Sequence, residues 1–285
     1  MGDRWAQWLL RHRFGDDPAE RERMLAQLGE VRDKVLDGAR IGAADVVLDV
    51  GCGDGLLGFG AVDRAGAVIF SDVSADLLDR CRQIATGLGC SDRCRFVHTG
   101  LPDLAGIEPA SVDVVTTRSV LIYVPDKAGA FATFRRVLRP DGRLSIFEPI
   151  NRFHRDHSPS VLWGFDVRGV EEIAAKARAG YRSHHPEDNP MVDFDERDLI
   201  ALAEAAGFTE VHLEYRADVG ADRAEPDFAT WLRMAFNPLV PPIGEILDRA
   251  LTPAELEVFT ALLREQLTNG RRRLRQAMAY LVAIA

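Results

Sequence analysis

Asp49, Gly51, Gly53, Gly55 and Asp72 are the residues whose types and spacing point most directly to chemistry. The three glycines alternate just beyond an apolar run, Val46-Val47-Leu48-Asp49-Val50. Glycine permits positive φ and leaves no Cβ between the main chain and a bound molecule, so a ligand can lie directly against the backbone there. With a helix starting near Gly55, the N–H groups at its first turn favour a phosphate or a carboxylate. Asp72 follows Gly55 by 17 residues, close to the spacing at which a carboxylate on the next strand meets ribose hydroxyls. A carboxylate suits a vicinal diol because it accepts two hydrogen bonds. The competing reading makes Asp72 a capping residue ahead of Ser74.

The glycines satisfy two registers. Gly51-x-Gly53-x-Gly55 is the spacing of S-adenosylmethionine sites, whereas Gly53-x-Gly55-x-x-Gly58 fits the dinucleotide pattern. Because the apolar run ends at Val50, the first turn glycine should be Gly51, and the dinucleotide register starts two residues late. The first register is favoured, with a ligand-free glycine turn as the bland alternative.

These residues need a scaffold, and strand and helix alternate from residue 45 to 148. Residues 46–50, 67–70, 94–98, 112–116 and 144–148 read as strands. Residues 74–86 and a segment capped by Asp126 read as helices, and Arg139-Pro140-Asp141-Gly142 reads as a turn. That alternation demands a doubly wound parallel sheet. Earlier, Asp17-Pro18-Ala19-Glu20 reads as a capping box opening a helix to about Asp37. Later, Asp195 caps a helix through Ala206, residues 209–216 form a sixth strand, Thr252-Pro253-Ala254-Glu255 is another capping box, and residues 278–284 supply the last strand. The expected organisation is an N-terminal helical segment over 1–40 and one domain over 41–285, with insertions at about 149–194 and 220–270.

At 285 residues the chain suffices for one large α/β domain with additions, or for two small domains. A formal charge of -9 argues against nucleic acid as the main partner and favours a small or cationic ligand. Cys52, Cys81, Cys90 and Cys94 lack C-x-x-C spacing, so neither a disulfide framework nor zinc is indicated. No apolar run approaches the roughly 18 residues of a membrane span, and the N-terminus lacks a signal-peptide core, so a cytoplasmic location is expected by default. Residues 1–16, with Trp5, Trp8, Leu9, Leu10 and Phe14 among basic residues, form an amphipathic segment. It is either a lid or a helix packed on the domain surface, and the packed helix is the favoured reading.

Together, Leu48-Asp49-Val50-Gly51-Cys52-Gly53-Asp54-Gly55, Asp72, Val112-Asp113-Val114-Val115 and Arg136-Val137-Leu138-Arg139-Pro140-Asp141-Gly142-Arg143-Leu144 resemble a class I S-adenosylmethionine-dependent methyltransferase of small-molecule type. The resemblance covers about residues 41–150. It implies a Rossmann-like seven-stranded sheet whose last strand is antiparallel, and S-adenosyl-L-methionine as cofactor. It also implies that Asp49, Gly51, Cys52, Gly53 and Gly55 lie on the methionine side and that Asp72 takes the ribose hydroxyls. Val73 should pack on the adenine, Leu101 should present backbone near it, and Arg118 should lie beside the methionine moiety. Many relatives carry an acidic residue on the adenine amino group after the third strand. Gly100 stands at that position here, so Asp103 substitutes or the contact is missing.

An activated methyl needs mainly an aligned nucleophile, with at most one nearby base. His154 and Tyr123 are the candidates, although Tyr123 reads equally well as a packed aromatic. His154, Asp156, His157, His184 and His185 draw notice in the first insertion. Solvated loop histidines are preferred to substrate contacts and to a metal site, for which no further ligand has suitable spacing. Arg271, Arg272, Arg273 and Arg275 read as a solvated strand entrance in preference to a phosphate or RNA patch. The chain has no Pro-Cys dipeptide, and Thr117-Arg118-Ser119-Val120 lacks the Asn/Asp-Pro-Pro-Tyr/Phe pattern, which disfavours nucleic-acid methylation. The expectation is methyl transfer to an O or N atom of a small organic acceptor such as a secondary metabolite, with oligomeric state left open. A catalytically silent S-adenosylmethionine-binding protein and a nicotinamide oxidoreductase are the alternatives.

Overall fold

β-branched segments that are too apolar for a solvent-facing strand form the centre of the molecule. The computed structural model describes residues 2–154, 158–221 and 226–285, with only the main chain of His154. Val161–Leu162 pairs with Phe165–Asp166 in a separate two-stranded sheet, and the strands of the main sheet are β1 (Val46–Val50), β2 (Ala67–Asp72), β3 (Cys94–His98), β4 (Val112–Arg118), β5 (Leu138–Pro149), β6 (Glu210–Ala221) and β7 (Arg273–Ile284). Their order is β3-β2-β1-β4-β5-β7-β6. β1 to β5 run parallel and β7 is antiparallel to both neighbours. The expected seven-stranded sheet with an antiparallel last strand is therefore present. Strand order reverses between β1 and β4, where open α/β sheets leave a crevice for ligands at the strands' carboxyl ends.

Around the sheet lie α1 (Arg4–Leu10), α2 (Pro18–Ala39), α3 (Leu56–Val62), α4 (Ala75–Gly87), α5 (Lys127–Val137), α6 (Glu171–Arg182), α7 (Glu196–Ala205), α8 (Phe228–Arg233), α9 (Ile243–Ala250) and α10 (Pro253–Thr268). Leu36, Val62, Phe70 and Leu78 cluster on the face covered by α2, α3 and α4. Phe131, Phe134, Leu199 and Leu281 cluster on the face covered by α5 and α7. Burying each such side chain contributes about 1.5–3 kcal/mol, so both layers are needed to hold the sheet's five central strands.

Three local expectations change. Asp17 caps α2 through the Ala19 and Glu20 N–H groups, but the box does not close, because Glu20 pairs with Arg23 instead. The turn expected at 139–142 is an irregularity inside β5: the register steps from Val112↔Leu138 to Val114↔Arg143, and Asp141 takes φ 62°. β6 and β7 run longer than their apolar cores, because they pair along twelve residues with one solvent-facing side that tolerates Arg216 and Asp218.

The two insertions meet. Leu162 and Phe165 of the first and Trp231, Ile243, Leu247, Phe259 and Leu263 of the second share one buried cluster, a helical unit with its own core beside the sheet. Arg272 is not solvated as expected. Its guanidinium lies over Phe165 and Trp231, 5.3 and 5.8 Å from the ring centres, and donates to the Trp163 carbonyl. Arg271, Arg273 and Arg275 are exposed, as expected.

Candidate active site

A cavity of about 530 Å³ opens at the carboxyl ends of β1, β2 and β4. Its floor is the glycine loop from Asp49 to Asp54, joined by Asp72-Val73, Thr99 to Leu101 and Arg118 to Val120. Its roof comes from two distant parts of the chain: Trp5, Trp8, Leu9 and Arg13, and Met234 to Phe236. The roof pieces are tied together. Trp8 Nε1 donates to the Ala235 carbonyl at 2.8 Å, the Ala235 N–H donates to the His12 carbonyl at 2.9 Å, and Arg233 Nε donates to the Gly15 carbonyl at 2.8 Å. The N-terminal segment is thus a wall of the site, not merely a helix packed on the outside.

The loop approaches its neighbours so closely that only bare backbone fits. Gly51 has φ +64°, and a Cβ there would lie 2.4 Å from Val120 Cγ2. A Cβ on Gly100 would meet Val73 Cγ1 at the same distance, so the glycine leaves room for Val73. Val73 itself is 53% exposed and faces the cavity, an apolar surface left open for a flat partner. Asp72 Oδ2 accepts from Gly53 N at 2.8 Å and Oδ1 accepts from Ser74 N at 2.8 Å. Asp72 therefore both caps the next segment and braces the loop, and each oxygen keeps a lone pair. Burial raises its pKa, opposed by those N–H groups. Asp49 is buried, accepts from Gly58 N at 2.8 Å, and is pushed up to about 7, chiefly by burial.

The opposite side is cationic. Arg118 donates to Ser119 Oγ at 3.4 Å, and Arg13 lies over Trp8 and Phe14, 5.5 Å from each ring centre. Neither guanidinium is ion-paired among the described residues. Burial pushes Arg13 down to about 9, with the Arg118 charge adding to it, and lowers Arg118 as well. Glu148, fully buried at the end of β5, accepts from Val120, Leu121 and Ile122 N–H groups at 2.9, 3.0 and 3.4 Å. It thereby fixes the turn that carries Val120 into the cavity. Burial pushes Glu148 up to about 7. Tyr123 lies edge-on to Trp5 at 5.0 Å, and burial raises its phenol well above the ordinary range.

Of the residues singled out in the sequence, Asp49, Gly51, Cys52, Gly53, Asp72, Val73, Gly100, Leu101, Arg118 and Tyr123 all line this one cavity. Gly55 does not: it sits behind the lining as the N-cap of α3 with φ 88°. Asp103 is also outside, exposed on the loop after β3, so it supplies no acidic contact there. The His154 side chain, Asp156 and His157 lie outside the described residues. His185 is half-buried, not solvated; its Nδ1 lies 3.3 Å from the Tyr181 carbonyl and its Nε2 3.3 Å from Asn237 Nδ2. Among the described residues no group of three His, Cys, Asp or Glu could hold a metal ion, and no helix is long and apolar enough to cross a membrane. Sequence reading missed Arg13 and Glu148. A charged residue at the end of an apolar strand was the available signal for Glu148.

The donor set suits an adenosyl amino acid. A carboxylate with spare lone pairs lies one strand from a bare loop, an exposed valine offers a face for a base, and a guanidinium without an ion pair lines the same cavity. Residues 47–142 match the family model described as a methyltransferase domain. A tRNA 5-carboxymethoxyuridine methyltransferase of Escherichia coli is 37% identical over 100 residues, covering 35% of this chain but only 38% of that enzyme's length. A ubiquinone biosynthesis O-methyltransferase of Aliivibrio fischeri is 28% identical over 213 residues, covering 74% of this chain and 82% of that one. Among solved structures, geranyl diphosphate C-methyltransferase from Streptomyces coelicolor aligns with TM-score 0.52 and 15% identity, covering 90% and 77% of the two chains. Phosphoethanolamine N-methyltransferase 2 of Haemonchus contortus aligns with TM-score 0.54 and 13% identity, covering 90% and 52%. Sheet order, glycine loop and sequence match agree that residues 47–142 form a class I S-adenosylmethionine-dependent methyltransferase domain.

Proposed function

We propose that this protein moves a methyl group from S-adenosylmethionine to an O or N atom of a small organic acceptor. The observation that carries the reading is the roof: Trp5, Trp8, Met234 and Phe236 close over the glycine loop and leave a cavity of about 530 Å³, within the range typical of small-ligand sites. The formal charge of -9 also runs against a polyanionic acceptor.

Bound, the cofactor supplies a sulfonium methyl that is already activated. The chain's own task is then alignment, a term that can contribute on the order of 7–11 kcal/mol when two reactants are held in line. In this reading Asp72 holds the ribose hydroxyls, Val73 and the Leu101 backbone hold the base, and Gly51 to Gly53 with Asp49 and Arg118 hold the amino-acid end. Tyr123, kept protonated by its surroundings, donates a hydrogen bond to the acceptor and so orients it. His154, in the turn Asn151–His154 after β5, is the candidate base. The aromatic roof excludes water.

The test is transfer of labelled methyl from S-adenosylmethionine to a small-molecule extract and, separately, to total tRNA, since one relative acts on tRNA by name. Label in the small-molecule fraction is the expected result. Label confined to tRNA overturns the acceptor class, and failure to bind S-adenosylhomocysteine overturns the methyltransferase reading itself.

A further inference from the structure

The cavity presents two guanidiniums, whereas an adenosyl amino acid offers one carboxylate. Arg118 extends from the end of β4 beside the glycine loop. Arg13 reaches the cavity from the roof, in the short turn His12–Phe14 after α1. Its own segment holds it, between Trp8 and Phe14. Asp54 lies near enough to favour the charged form of both, yet it is ion-paired with neither. Glu148 is already engaged by three N–H groups and Asp72 by two. A partly buried guanidinium has five donors and no acceptor, and it is unfavourable there until an anion joins it.

We propose that Arg13 binds a carboxylate or phosphate group carried by the methyl acceptor, while Arg118 faces the carboxylate of the cofactor. The proposal rests on the methyltransferase reading above and names the acceptor's chemical class: a small organic anion. Two features favour this division. Arg13 sits with the aromatic roof, so a molecule lying between roof and floor meets it from the side away from the loop. Asp49, Asp54 and Asp72 line the floor, so the positive sulfonium of the cofactor meets carboxylates there, and Arg13 on the roof remains the cation for a second anion. The planar fork of arginine matches either oxyanion through paired hydrogen bonds.

The experiment uses the whole chain saturated with S-adenosylhomocysteine and titrates it calorimetrically with matched pairs: hydroxybenzoate against hydroxybenzamide, hydroxybutyrate against hydroxybutyramide, and phenyl phosphate against phenol. In the wild type at least one anion should bind about tenfold tighter than its neutral partner, and the carboxylate and phosphate arms identify which oxyanion is read. Arg13→Gln should reduce that preference to about twofold or less, Arg13→Lys should restore part of it, and both variants should keep the wild-type affinity for S-adenosylhomocysteine within about twofold. Unchanged cofactor affinity also reports that the variants fold. If no anion in the panel outbinds its neutral partner, the proposal fails while the methyltransferase reading stands. If Arg13→Gln weakens S-adenosylhomocysteine about tenfold, Arg13 serves the cofactor and the proposal is overturned. Wild-type protein that does not bind S-adenosylhomocysteine overturns both readings together.

Discussion

Replacing Glu148 by Gln separates the two things this side chain does: it accepts three backbone N–H groups, and it hides a carboxyl from water. One carboxyl oxygen takes Val120 N and Leu121 N at 2.9 and 3.0 Å, and the other lies 3.4 Å from Ile122 N. Gln keeps the first acceptor but turns an amide donor toward Ile122, where the protonated wild-type carboxyl still offers a hydroxyl lone pair, so under mildly acid conditions the variant should be about 1–2 kcal/mol less stable. In the wild type the carboxyl titrates near 7 in the fold and near 4.5 once unfolded. The unfolded chain therefore gives up its proton first. The group leaves stability untouched below about 4.5, lowers it progressively as pH rises to about 7, and lowers it by a constant amount beyond that. The gap corresponds to roughly 3 kcal/mol in total, and to about 2–3 kcal/mol between pH 5 and pH 8. Glu148→Gln lacks this slope, while Asp49 contributes its own slope to both proteins and cancels. Urea unfolding followed by tryptophan fluorescence at the two pH values should show the variant less stable at the lower and equal or more stable at the higher. A difference between variant and wild type that stays the same within about 0.5 kcal/mol at both would refute the argument.

Three further outcomes follow from the site. Gly51→Ala places a Cβ 2.4 Å from Val120 Cγ2 at φ +64°; it should lower stability by about 1–3 kcal/mol and weaken S-adenosylhomocysteine at least about tenfold, and a second change, Val120→Ala, should recover part of both in calorimetry and thermal melts. Asp72→Asn leaves one acceptor oxygen for the Gly53 and Ser74 N–H groups and should weaken S-adenosylhomocysteine by about tenfold or more; unchanged calorimetric affinity would remove Asp72 from the ribose contact. Tyr123→Phe should keep the shape of the pH–rate profile and reduce kcat/KM by about tenfold or less, because a phenol raised this far does not act as a base; loss of the alkaline limb would assign it that role.

The cofactor half was legible because its chemistry is local. A β-branched run, three alternating glycines and an acidic strand end lie within 27 residues, counting from Val46 to Asp72, and each carries its own backbone or hydrogen-bond requirement. The strand alternation was equally readable, since a buried parallel strand admits few polar residues. Contacts over long sequence separation were not. Nothing in Trp8 announces the carbonyl of Ala235, and the cluster joining Phe165 to Trp231 and Phe259 unites segments whose separate patterns read only as insertions. Arg13 was hidden for the same reason: among Arg4, Arg11 and His12 it looks like one more charge on a solvated face, and only the fold turns it inward. The polar ends of β6 and β7 escaped because pairing with each other, not side-chain burial, keeps them extended.

The floor of the cavity belongs to the sheet, and its roof belongs to segments that the sheet does not need. Gly51, Asp72 and Gly100 are locked against the loops at the strands' carboxyl ends, by Val120, by Gly53 and Ser74, and by Val73, so a change there disturbs the scaffold and the proposed nucleoside site together. Trp5, Met234 and Phe236 line the cavity from peptide that takes no part in strand pairing. Under the proposed function, acceptor choice is therefore separately adjustable, open to re-tailoring one roof residue at a time while the methyl source stays in place.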